Sequence, residues 1–198
     1  MGNVTSVKSK FFEPQGVDDD KVSASGTATT LVIADGGPYG NLTETITIKS
    51  AAGNNSGNTF TITGTDGNGD AQTEDVTGPN AGTVNSANKY LTVSSIVSDG
   101  AIATDIQAGI LGTGALTGTV FAGRTRIRGL TGTSKASAGN IVFKNTSITG
   151  TTLLTIPLTG AVGNIDPYIP DNGVLFSAGA YINLTAADVT GITVYYDG

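Results

Sequence analysis

The chain reads as all-β: two small β-sandwich or barrel-like domains preceded by an extended N-terminal arm. Three observations predict this. Apolar side chains alternate with threonines, Ile46 and Ile48 against Thr45 and Thr47, then Phe60 and Ile62 against Thr59, Thr61 and Thr63, the period of strands with one buried face. Clusters of Gly, Asn, Asp and Pro divide the second half into short runs spaced by roughly 8–12 residues, as in all-β sandwiches. No segment longer than a turn or two carries the apolar period of an amphipathic helix.

In chain order, residues 1–40 read as the arm. It holds Lys8-Ser-Lys-Phe-Phe, the acidic run Asp18-Asp-Asp20 and one apolar run, Leu31-Val-Ile. The first domain is expected over 41–118. Its strands begin at Thr43 and Thr59, and Asp66-Gly-Asn-Gly-Asp70 supplies the positive-φ residues of a tight reversal into a strand over Ala71–Thr77. Gly78-Pro-Asn ends that hairpin, since Pro lacks a ladder donor. Further strands are expected over Lys89–Val97 and Ala101–Leu111, and the glycine-rich stretch Gly112–Gly118 marks the boundary. The second domain, 119–198, is expected to hold strands at Thr125–Thr131, Asn140–Asn145, Leu153–Leu158, Val174–Phe176, Ala180–Leu184 and Ile192–Tyr196. Two prolines in Asp166-Pro-Tyr-Ile-Pro force an excursion between the third and fourth of these.

Composition narrows the function. The 198 residues include 29 Gly and 31 Thr but no His, Cys or Trp. The side chains most often recruited for acid/base chemistry near neutral pH, thiol chemistry and structural zinc are therefore missing. Charged residues are 13% of the chain against about 25% in an average soluble protein, which leaves an uncharged polar surface suited to close packing against other proteins. The net charge of −6 is uneven: residues 1–122 hold 5 basic and 12 acidic side chains, residues 123–198 hold 5 and 4. Nucleic acid is thus not an expected partner, because a phosphate-backbone binder needs a clustered basic footprint. No apolar run approaches the ~20 residues of a membrane span or forms a signal peptide, so a product of a cytoplasm without a membrane partner is expected.

Asp66-x-Asn68-x-Asp70 copies the first oxygen ligands of a calcium loop, but Ala71 stands where the loop needs Gly and Thr77 where it needs Glu. A hairpin turn is expected there, with no metal and no cofactor. Glu74 and Asp75 are adjacent strand residues and so point to opposite faces, unlike a glycosidase pair. Arg124, Arg126 and Arg128 alternate on one strand face, with Thr125, Ile127 and Gly129 on the other, and form a candidate interface. Tyr181, Tyr195 and Tyr196 read first as core or interface anchors and second as platforms for sugar rings.

The stretches from Ile46 to Asp70 and from Thr77 to Thr83 resemble a β-rich module of tailed-bacteriophage structural proteins. From Arg124-Thr-Arg-Ile-Arg-Gly to Ile192-Thr-Val-Tyr-Tyr the chain is similar to small β-sandwich modules of phage head-decoration and tail-associated proteins. The resemblance implies a virion component and carries over no functional residues. The resulting expectation is a non-enzymatic, homo-oligomeric protein that decorates or cements a phage capsid, assembled in the host cytoplasm. Its partner would be the major capsid protein or another virion protein, with Lys8, Lys10, Phe11 and Phe12 as the anchor. A tail, neck or fibre component is the alternative, followed by a module that binds host surface glycans.

Overall fold

The computed structural model describes residues 6–170 and 172–198. Its first eight strands are β1 (Lys8–Phe12), β2 (Asp18–Gly26), β3 (Glu44–Asn54), β4 (Thr59–Thr65), β5 (Ala71–Thr77), β6 (Asn80–Tyr90), β7 (Thr92–Ser98) and β8 (Ile106–Ile110). The rest are β9 (Ala115–Phe121), β10 (Thr125–Ser134), β11 (Ala138–Asn145), β12 (Thr152–Thr159), β13 (Gly163–Ile165), β14 (Val174–Phe176), β15 (Ala180–Thr185) and β16 (Val189–Asp197). The described residues contain no helix, so the all-β expectation holds, and the sheets are open rather than closed into a barrel.

The chain divides into two compact units. A middle unit comprises Gln15–Tyr39 and Thr43–Gly112. Its sheets run β2-β8-β3-β6 and β5-β4-β7. Both contribute to one core, with Ile46 and Ile48 from β3, Phe60 and Ile62 from β4, Ile96 from β7 and Ile106 from β8. The period-two pattern explains this: alternate residues of β4 are buried while its threonines stay partly exposed. The β4–β5 reversal forms as expected, its register fixed from Thr59↔Thr77 to Thr65↔Ala71. The Asp66 carboxylate accepts the backbone N–H groups of Asn68 (2.8 Å) and Asp70 (2.9 Å) and so closes the turn. The strand expected over Lys89–Val97 is two strands meeting at Leu91, because β6 ends there and β7 turns away to pair with β4. Gly64 permits that pairing, since a Cβ there would collide with the Thr92 carbonyl.

A terminal unit comprises residues 6–14, Gly40–Leu42 and Thr113–Gly198. One sheet runs β1-β16-β10-β13, with β14 also on β10; the other runs β12-β11-β15-β9. Phe12, Leu42, Ile127, Phe143, Phe176, Ile182, Ile192 and Val194 fill one core between them.

Two expectations are corrected here. The described part of residues 1–40 is no extended arm: β1 pairs with β16 over five residues, and β2 pairs with β8. Lys8-Ser-Lys-Phe-Phe is itself a short alternating strand that buries Phe12 completely. Residues 1–5 lie outside the described residues. The boundary within the chain falls at Gly112–Thr113 rather than near 118, because Gly112–Gly118 is not one bridge; β9 starts at Ala115 and pairs with β15.

Candidate interaction surface

The sequence-predicted anchor residues meet different fates. In an antiparallel ladder, opposite residues share a face, and Lys8, Lys10 and Phe12 lie opposite Tyr196, Val194 and Ile192. Val194 and Ile192 are fully buried, so this is the inward face. Phe12 therefore enters the core. Lys10 follows it halfway, donating from Nζ to the Thr119 carbonyl (2.7 Å) with its ammonium 5.6 Å from the Phe12 ring centre. Burial pulls the Lys10 pKa below its ordinary value. Phe12 and Lys10 thus hold β1 to its own unit and are not free to anchor a partner, contrary to the expectation from the sequence. Lys8 stays exposed, with Nζ 5.6 Å over the Phe121 ring.

Phe11 points the other way. It lies opposite Thr193, is 50% exposed, and spreads across Gly191, where a Cβ would stand 2.7 Å from its Cζ. Tyr195 repeats the arrangement, opposite and over Gly129, with its hydroxyl 3.4 Å from the Thr131 hydroxyl. Two aromatic rings thus lie over bare backbone on the outward face of one sheet. Tyr181 is buried, and Tyr196 packs against the core, 5.8 Å from Phe121 between ring centres. The three tyrosines therefore form no common platform.

Arg124 and Arg126 flank buried Thr125 and Ile127, but Gly129, expected on the buried side with them, lies under outward-facing Tyr195. A bulge between Ile127 and Gly129 ends the alternation. Arg124 is exposed. Arg126 Nη1 donates to the carbonyls of Asn172 (3.1 Å) and Gly173 (3.4 Å), and Arg128 Nη1 lies 3.7 Å from the Asp197 carboxylate. Arg124 and Arg126 rim a recess of about 280 Å³ that also takes in Leu175, Asp197 and Gly198.

One group escaped the sequence reading. Glu44 begins β3, is 0% exposed, and among the described residues has no hydrogen bond of normal geometry at either carboxylate oxygen. Burial raises its pKa to about 7, against the opposing pull of the Gly112 N–H and the Lys89 ammonium. Its signal was legible, since Glu44 is in phase with Ile46 and Ile48 on the buried face. Among the described residues, no group of three or more Asp or Glu side chains is arranged to hold a metal ion. No family model, no curated protein and no solved structure matches this chain.

Proposed function

We propose that this chain is a non-enzymatic virion structural protein that decorates or cements the capsid of a tailed bacteriophage. It is assembled in the host cytoplasm and docks through the exposed part of β1. The observation that carries the reading is an edge strand locked to its own core by Phe12 and Lys10 while presenting half-exposed Phe11 on its outward face and exposed Lys8 at its start. Among the described strands β1 pairs with β16 alone; the Asn41 amide caps the Phe11 carbonyl (2.9 Å) and the Glu13 N–H bonds to the Gly40 carbonyl (3.0 Å), which leaves the Ser9 end of this edge for an extended segment of a partner. Burying the remaining half of Phe11 is worth about 1 kcal/mol per copy, too little to dock a single molecule. Backbone pairing along the free part of the edge supplies the rest.

The test uses Phe11→Asp and Lys8→Glu rather than a deletion, which would remove Phe12 from the core. Both variants are expected to keep the parent melting temperature and to lose co-sedimentation with capsids stripped of the protein. Retained co-sedimentation would overturn the reading. A tail, neck or fibre position would use the same edge, and copy number per particle separates the two. A tail part follows a low rotational symmetry, whereas a decoration protein follows the shell.

A further inference from the structure

When intramolecular partners are assigned, the two units keep uncompensated charge of opposite sign. The terminal unit carries 7 basic and 5 acidic residues, net +2, and the middle unit 3 and 11, net −8. Most middle-unit carboxylates are engaged locally. Asp19 pairs with Lys49 and Asp35 with Lys21, while Glu74 accepts the N–H groups of Ala87 and Asn88, Asp75 the Thr61 hydroxyl, and Asp99 the Thr59 N–H. Among the described residues, Asp20, Asp70 and Asp105 are exposed and have no such partner.

Asp105 also has a distinctive setting. It stands on the rim of a recess of about 410 Å³ walled by the methyl groups of Ala51, Ala52 and Ala103, together with Thr27 and Thr104. Methyl walls with one carboxylate at the rim suit a long cationic side chain, whose methylenes lie along apolar surface while its head reaches the charge. Arg124 of the terminal unit is such a side chain. It is exposed, has no ion pair among the described residues, and stands next to Arg126, whose hydrogen bonds go to carbonyls that leave its charge uncancelled. Leu175, 36% exposed, adds apolar surface to the same rim.

We propose that copies of this chain associate head to tail, Arg124 of one copy entering the alanine-walled recess of the next and pairing with Asp105. The two surfaces are different, so the contact is heterologous and propagates into a ring or a filament. It is independent of docking through β1, so Arg124→Asp is expected to leave co-sedimentation with capsids intact.

The experiment is light scattering coupled to gel filtration on the full chain. At low salt the parent should exceed the monomer mass of 19.8 kDa and grow with concentration. It should return to monomer in about 1 M salt, where the Debye length shrinks to about 3 Å. Arg124→Asp and Asp105→Arg should each be monomeric, with melting temperatures near the parent's because both positions are exposed. Ala52→Trp, which fills the recess without changing charge, should be monomeric too. An equimolar mixture of the neutral variants Arg124→Ala and Asp105→Ala should form heterodimers and nothing larger, since each copy retains one working surface. A parent that stays monomeric at low salt at every concentration, a mixture that stays monomeric, or an Ala52→Trp variant that still associates would each overturn the proposal.

Discussion

Glu44 shows how one residue sets a condition on the whole middle unit. A carboxyl buried beside Tyr39 and opposite Tyr90, without a well-formed hydrogen bond, is held more cheaply neutral than charged. Lys89 lies close enough to favour the charged form, but burial outweighs it and sets the pKa near 7 rather than at the ordinary 4.5. Between those values the folded chain holds a proton that the unfolded chain has released, so stability falls as pH rises through that window and levels off above about 7. The full effect is about 3 kcal/mol. Denaturant titrations at pH 4.5 and pH 8 should show this loss in the parent, and Glu44→Gln should remove most of it. A Glu44→Gln variant with the parent's pH slope would show that Glu44 is not the responsible group.

β1 separates two adjacent phenylalanines into opposite roles. Phe12 is fully buried and Phe11 half-exposed over Gly191. Phe12→Ala should therefore cost about 3–5 kcal/mol, and Phe11→Ala under about 1 kcal/mol, read as denaturant midpoints. Equal losses would mean that β1 is not seated as described. The same strand shows what was legible in the sequence. Long alternating runs such as β4, β10 and β16 could be read because threonine and aliphatic residues repeat over several pairs, and the β4–β5 turn was written in Asp66-Gly-Asn-Gly-Asp70. β1 has only five residues, three of them polar, and its strand character depends on β16, about 180 positions away. β9 was hidden by Gly118, which reads as a linker glycine. That position needs glycine because a Cβ would strike the Asn41 carbonyl. The arginine alternation predicted a face, but which arginine stays unpaired depends on Asp197 and on the carbonyls of Asn172 and Gly173, all supplied by distant segments.

Along the chain the two units are interleaved rather than consecutive. The chain enters the terminal unit through β1, leaves after Pro14, returns for Gly40–Leu42, and comes back for good at Thr113. The terminal core includes Phe12 and Leu42, both 0% exposed, from those early visits. A fragment of residues 113–198 would lack both side chains and would leave the β16 edge unpaired over Ile192–Tyr196. Two missing large core groups cost several kcal/mol, comparable to the roughly 5–15 kcal/mol by which a domain is stable at all. The fragment should therefore show strand content by circular dichroism but no cooperative melting, and should bind a hydrophobic dye. A peptide of residues 6–14 added in trans should restore part of the transition by refilling the Phe12 site and pairing the β16 edge. Cooperative unfolding of the fragment alone would instead mean that the second half is a self-sufficient domain, as its strand spacing suggests when read in isolation.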